Sequence, residues 1–272
     1  MTASITTSTA TIRLIDDDAH RQITEYVLKA RLQPICSNRL LLSLPQSEYL
    51  TLSEKLHLVE VNAGEVLHIA HTPVRHVWFP NDCLISIRAE VLTGTGLEVA
   101  LVGNDGATDT ADRCVDMISP LAAVVQISGS AMRIDVATLS SFFKSSGILQ
   151  YLFFQMLDHQ WMQASQNAVC SHYHLLEARL ARTLLRIRDR TGRDDFHLTH
   201  EIMAHALGVR RVGVTKAAMA LQSLALIRYA RGSISVIDAA GLAKLACSCY
   251  QIDCQHQRLI DQKIKESAFC VR

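Results

Sequence analysis

The chain has 272 residues, 49% of them hydrophobic and 19% charged, enough to bury a core over about two domains and too apolar for a mainly disordered chain. Its mean hydropathy is only +0.15, and no run of about 18–20 apolar residues is present to cross a membrane as a helix. The formal charge of +1 hides an asymmetry: 11 basic and 17 acidic residues from Met1 to His174, then 11 and 5 from Leu175 to Ser235, and 5 and 4 from Val236 to Arg272, so the second part is expected to meet a polyanion.

Residues 1–37 form a lead-in with a short helix expected over Asp18–Ala30. Leu40, Leu41, Leu42 and Leu44 precede Pro45, and Ser47 is placed to cap a short helix running through Ser53. Between Lys55 and Leu139 the apolar period is mostly two. Short runs (Leu58–Val61, Val66–Ile69, Val77–Phe79, Leu84–Ile87, Leu97–Val102, Ala122–Ile127, Met132–Val136) alternate with turn signals such as Asn62-Ala63-Gly64, Pro80-Asn81-Asp82 and Gly103-Asn104-Asp105-Gly106. Strands at this spacing predict an antiparallel β sandwich or barrel. Thr138 opens a helical stretch.

One long helix is expected from Ser146 to Ser171. Leu149, Leu152, Met156, His159, Gln163, Gln166 and Cys170 advance by alternating steps of three and four, the seam of a coiled coil. We read it as a dimer seam, because it turns polar while Phe153, Phe154, Leu157 and Trp161 cover other faces. The competing reading is a helix packed on its own β domain. A second helix, Glu177–Arg190, carries Arg179, Arg182, Arg186, Arg188 and Arg190 and ends in the turn Thr191–Asp195.

The segment Leu198–Leu221 carries the sharpest pattern. Thr199 can cap a first helix, Ala204 stands four residues before Gly208, and Val214 six after it. A helix-turn-helix needs a small residue where the helices cross, a glycine at positive φ in the turn, and a β-branched plug between them. Leu207, Val209 and Ala217 supply further apolar positions. The second helix, about Arg210–Leu224, would enter a major groove with Arg210, Arg211, Val212, Thr215 and Lys216 exposed. Arg bonds guanine O6 and N7 bidentately, Val212 suits a thymine methyl, and Thr199 and Lys216 suit phosphate. The run Val212-Gly213-Val214-Thr215 is a poor helix former, so packing has to hold it. Ile227–Ile237 follows as two alternating strands about Arg231-Gly232, a wing hairpin with Arg228 and Arg231 as candidate backbone contacts.

These segments, taken together, resemble the Crp/Fnr transcription regulators over about three quarters of the chain, from Asn38 to Tyr250. The matching residues are Asn38-Arg39-Leu40-Leu41 with Leu44-Pro45, Ala63-Gly64-Glu65-Val66-Leu67, His76-Val77-Trp78-Phe79-Pro80 and Val102-Gly103 with Gly106. Further on they are Glu177–Arg182, Asp189-Arg190, Leu198–Leu221 and Cys247-Ser248-Cys249-Tyr250. The resemblance implies an α+β fold: an N-terminal antiparallel β roll of jelly-roll type over 38–145, a dimerisation helix and hinge over 146–173, a winged helix-turn-helix over 174–250, and a tail over 251–272. It also implies a cytoplasmic homodimer on a two-fold symmetric site in double-stranded DNA, with RNA polymerase as a further partner and no membrane.

Departures from the family narrow the effector. Cyclic-AMP-binding members carry a Gly-Glu pair and an Arg-Ser/Thr-Ala stretch, whereas this chain reads Pro120-Leu121-Ala122-Ala123, leaves the glutamate position near Asp109 unfilled and has only a displaced Arg113. A buried phosphate without its Arg is expensive, so cyclic nucleotide is not expected and no cofactor is. The eight cysteines (36, 83, 114, 170, 247, 249, 254, 270) suit reduced thiols in a cytoplasm, since the Ser/Thr-rich Met1–Thr11 lacks a secretory pattern. Cys36 alone does not make the N-terminal iron–sulfur cluster of oxygen-sensing members. Cys247, Cys249 and Cys254, with His256, read as small thiols of a C-terminal helix rather than a metal site or redox switch. Cys170 with His172 and His174 reads as hinge packing and polarity, and His159 as a polar register residue rather than a haem ligand. No metal site is therefore expected. Nor is an enzyme, for want of a nucleophile–base set, a phosphate loop or paired carboxylates. A redox-, metal- or haem-gated regulator stays as the alternative.

Overall fold

The computed structural model describes residues 36–90, 96–109 and 118–270, with side chains to residue 262. The expected helix Asp18–Ala30 and the displaced Arg113 lie outside the described residues.

Two short helices, α1 (Arg39–Leu42) and α2 (Gln46–Ser53), come first. Asn38 caps α1, accepting from the Leu41 N–H at 3.2 Å, and its amide donates to the carbonyls of Pro80 and Gly106, both at 2.9 Å. A wholly buried amide is thus satisfied, and it ties α1 to the roll. The second helix begins ahead of the Ser47 cap expected for it, because Pro45, at φ −53°, leads straight into the first turn.

The strands are β1 (His57–Val61), β2 (Val66–His68), β3 (Thr72–Pro73), β4 (His76–Pro80), β5 (Leu84–Glu90), β6 (Gly96–Val102), β7 (Ile118–Ser119), β8 (Leu121–Ile127) and β9 (Gly129–Asp135). They pair antiparallel in the orders β1-β9-β4 and β2-β8-β5-β6, with β3 on β7. Trp78, Ala131, Ile85 and Val125 fill the space between the two larger sheets. Val77, Phe79, Met132 and Ile134 point the other way, into a core shared with Leu41, Leu52, Leu139, Leu149 and Phe153 of the helices. The period of two therefore marks strands buried on both faces. Helix α3 (Val136–Ser145) starts two residues earlier than expected, since the Asp135 carboxylate accepts from the N–H groups of Ala137 and Thr138 at 2.9 and 3.2 Å.

The long helix α4 (Gly147–Tyr173) is capped by Ser146, which accepts from the Leu149 N–H at 2.9 Å. Behind it come α5 (Leu176–Thr191), β10 (Asp195–His197), α6 (His200–Leu207), α7 (Arg211–Ser223), β11 (Ile227–Ala230), β12 (Ser233–Val236), α8 (Ala239–Leu245) and α9 (Cys249–Cys270). Strand β10 pairs Asp195–His197 with Ser233–Ser235, a non-local partner, which is why the sequence shows only a turn there. The tail after Tyr250 is the body of α9. Leu84, Leu101 and Ile127 of the roll share one apolar cluster with Leu180, Leu184, Leu207, Val214 and Leu221 of the second half.

Not all of the basic charge in the second part is free to meet a polyanion, because the arginines of α5 have partners within the chain. Arg182 makes a bidentate pair with Asp253 at 2.7 and 3.1 Å, and the buried Arg186 lies 3.7 Å from Asp253 and 3.9 Å from Glu98. Arg190 faces Asp105 at 3.5 Å, Arg188 faces Asp194, and Arg179 donates to the Leu207 carbonyl. These five charges serve the fold. Burial pushes the Asp253 carboxyl up, but Arg186, Arg182 and Arg190 together outweigh it and hold it below its ordinary value.

Candidate nucleic-acid interface

Helix α6 begins at Thr199, whose hydroxyl accepts from the Ile202 N–H at 3.3 Å. It ends at Gly208, φ +63°, and the Val209 N–H closes the turn on the Ala204 carbonyl at 3.0 Å. Glycine is required here by the positive φ, and a Cβ would also stand 2.7 Å from the terminal methyl of Leu97 of β6, which would have to turn aside. Ala204, Leu207, Val214 and Ala217, the packing positions of the motif, are all buried. Val214 is fully enclosed, and that burial holds Val212–Thr215 helical against its weak propensity. Arg210 and Leu224, the expected ends of the second helix, cap α7.

Arg210, Arg211, Val212 and Lys216 are exposed on α7 and at its N-terminus, with Val212 65% exposed. Thr215 is turned inward: its Oγ1 lies 2.9 Å from His200 Nδ1 and 3.1 Å from the Arg211 carbonyl. Burial, then the charge of Arg211, push the His200 imidazole below its ordinary range, which favours the neutral ring. Since the Thr215 hydroxyl donates to the Arg211 carbonyl, it is free to accept from His200 Nδ1 in the tautomer that carries the proton there. His200 also stacks on Tyr229 of β11, centroids 4.1 Å apart, linking the first helix to the wing. Arg228 is exposed on the wing, 3.5 Å from the Ser235 hydroxyl, and Arg231 occupies its tip at φ +51°. Sequence reasoning missed His200 and the exposed Met219. The step of seven from Val212 puts Met219 on the same face, and that spacing was its available signal.

The expected dimer seam is corrected. Leu149, Leu152, Met156, His159 and Gln163 are buried within the chain itself. Leu149, Leu152 and Met156 belong to the core of the roll. Gln163 Oε1 accepts from the Leu101 N–H at 3.0 Å and from Arg186 at 2.5 Å, while His159 Nε2 lies 3.4 Å from Arg190 and its ring stacks on His256. The polar seam positions thus find their partners inside the fold, which is the competing reading of that helix. Its exposed stripe is instead Tyr151, Phe154, Trp161, Val169 and Tyr173, with Phe154 63% and Trp161 71% exposed.

Within the roll, His68, His76, Thr108, Asp109, Ala122 and Gln160 border a cavity of about 40 Å³, and no arginine is among its described lining residues. A larger cavity of about 440 Å³ lies beside α4, α5 and α9, with Arg39, Asp105, His159, Arg190 and Asp253 in its wall.

At the end of α4 the structure joins residues that the sequence presents as two groups. Cys170 and His174 meet Cys247 and Cys249, with Cys170 Sγ 3.5 Å from Cys247 Sγ and Cys249 Sγ 3.4 Å from His174 Nδ1. Cys254, His172 and His256 are outside this group of four.

A Crp-like helix-turn-helix domain model matches residues 178–245. No curated protein matches the chain. Among solved structures, FixK2 from Bradyrhizobium japonicum is similar over 71% of this chain and 98% of its own, at 13% identity and a TM-score of 0.60. A Crp/Fnr-family transcriptional regulator from Thermus thermophilus matches over 70% and 98%, at 22% identity and TM-score 0.58. The c-di-GMP-responsive global regulator CLP from Xanthomonas campestris matches over 71% and 99%, at 12% identity and TM-score 0.59. At these identities the structures speak for the fold, and the domain model for the DNA-binding module.

Proposed function

We propose that this chain is a DNA-binding transcription regulator of the Crp/Fnr type that reads a two-fold symmetric duplex site as a homodimer in the cytoplasm; its Crp-like helix-turn-helix and the fold it shares with Crp/Fnr structures support the reading. The observation that carries the reading is the cluster of Arg210, Arg211, Val212 and Lys216, exposed at the N-terminal turns of α7 while the α5 arginines are spent internally. That is the end of a recognition helix that enters a major groove. Thr199 and the wing residues Arg228 and Arg231 flank it as backbone contacts, and Thr215 acts through its partnership with His200.

Arg211→Ala is expected to cost about 1–3 kcal/mol at the specific site and to relax base preference there, read by titration of specific and random duplexes. Equal loss on both would reject base reading by Arg211. Lys216→Ala should weaken all sequences alike and reduce the slope of log K against log salt by about one. A loss confined to the specific site would reject its phosphate role.

The stripe Tyr151, Phe154, Trp161, Val169 and Tyr173 supports dimerisation, as it gathers large apolar side chains on one exposed face of a helix of 27 residues. Trp161→Glu should yield a monomer in sedimentation velocity with unchanged helical circular dichroism; a persistent dimer would place the interface elsewhere. Among the described residues bordering the small cavity of the roll there is no arginine to receive a cyclic phosphate, which supports DNA binding that does not depend on cyclic AMP. RNA polymerase is the further partner that this reading implies.

The deciding experiment is selection of bound DNA from a random pool with the purified, reduced chain at a stated salt. The expected result is a palindromic consensus with half-sites about one helical turn apart. Salt-sensitive binding without any consensus would overturn sequence-specific reading by the unliganded chain.

A further inference from the structure

We infer that Cys170, His174, Cys247 and Cys249 form a tetrahedral site for one thiophilic divalent cation of the zinc class, which pins the joint between the long helix and the winged helix-turn-helix. One ligand atom from each of the four lies within 4.8 Å of every other. Two of the pairs stand at 3.5 Å for sulfur to sulfur and 3.4 Å for sulfur to nitrogen. Tetrahedral zinc with bonds of about 2.3 Å to sulfur and 2.0–2.1 Å to nitrogen separates the ligands of such a set by roughly 3.5–3.8 Å, so the cluster needs only side-chain shifts of about 1 Å to close on the ion. A Cys₃His donor set suits structural zinc and is too soft for calcium or magnesium.

The surroundings match the charge of such a centre. Three thiolates, a neutral imidazole and a divalent ion carry a net charge of −1, and binding releases the three thiol protons to solvent. Arg182 and Arg179, one turn apart on α5, border the same small cavity as Cys170 and bring positive charge beside it. The Gln166 amide donates to Cys249 Sγ at 2.9 Å, an outer hydrogen bond of the kind that orients a thiolate ligand. All three thiols are buried, at 3%, 8% and 1% exposure.

The ligands come from three places: the last turn and C-cap of α4, the connection after α8, and the first residue of α9. Helix α5, which leads into the DNA-reading motif, starts two residues after His174. A bound ion would therefore hold the direction in which the recognition helix leaves the long helix. This consequence rests on the DNA-binding reading, whereas metal uptake is measured without DNA and stands or falls separately.

The test uses the full chain, reduced, stripped with chelator and titrated with Co²⁺ as the spectroscopic probe. Expected are one Co²⁺ per chain, thiolate-to-metal charge-transfer absorption with the intense d–d bands of a tetrahedral ion, and displacement by one equivalent of Zn²⁺. Cys249→Ser and His174→Ala should each weaken metal affinity at least about tenfold, and Cys254→Ser should retain it. His174, only partly buried, keeps the test available if a cysteine variant does not fold. The weak bands of octahedral cobalt, or unchanged uptake by the His174 variant, would overturn the site. So would a Cys170–Cys247 disulfide in the freshly purified protein with no metal uptake after reduction.

Discussion

Replacing Asp253 by alanine is expected to lower the unfolding free energy by about 3–5 kcal/mol, the cost of leaving a buried charge without its partner. The side chain joins Arg182 at 2.7 Å and Arg186 at 3.7 Å, and both guanidinium groups are only 4% exposed. Arg186 retains Glu98 at 3.9 Å and Gln163, so it is Arg182 that loses its bidentate carboxylate. Urea unfolding at neutral pH measures the loss, and a change below about 1 kcal/mol would mean that water reaches the pair and screens it. The same contact has a pH signature. The folded carboxyl titrates below its ordinary value of 3.8, so its stabilisation is complete above that pH and disappears as pH falls through the lower folded value. Asp253→Asn should remove this acid-limb contribution along with the charge.

A second large effect comes from His159, and it acts at milder acidity. Burial is the main force pushing its pKa from 6.5 to about 4; Asp105 opposes the shift, while Arg190, Arg186 and His256 add to it. Between those pH values the unfolded chain binds a proton that the folded chain refuses. Stability therefore falls as pH drops through 6.5 and levels off near 4, by a total of about 3 kcal/mol. His159→Gln keeps a polar group in place without the titration. Its unfolding free energy should vary less than that of the parent over this range, and identical pH profiles would reject the assignment. The neutral ring is consistent with Arg190 standing 3.4 Å from Nε2, where it donates to an unprotonated nitrogen.

Much of the site was legible because a helix-turn-helix is a local code. Thr199, Ala204, Gly208 and Val214 fall within sixteen residues, and each acts on its near neighbours: a cap, a crossing, a positive φ and a plug. The wing about Arg231-Gly232 is legible for the same reason, since alternation and a turn define a hairpin without outside help. The strands of the roll could be located, but the residues of β10 could not, because their partner lies nearly forty residues away.

The long helix marks the limit. Its three-and-four stepping identified the residues sharing one face, yet a period does not tell which body that face meets. The roll and the α5 arginines took the face with Leu149 and Gln163, leaving Phe154 and Trp161 outside. Charge has the same ambiguity: Arg182, Arg186 and Arg190 look like Arg210 and Arg211 in a sequence, and only folding pairs the first three with Asp253, Glu98 and Asp105. The cysteines followed suit. Cys170 with His174 and Cys247 with Cys249 are each weak metal spacings, and they become four converging ligands only when α9 packs back against α4. Local steric and hydrogen-bond preferences, which act over a few residues, thus settled the order of elements and the DNA-reading motif in the sequence itself. Which faces met, which charges were neutralised and which thiols converged were decided by tertiary packing, because those depend on long-range burial that no short window of sequence contains.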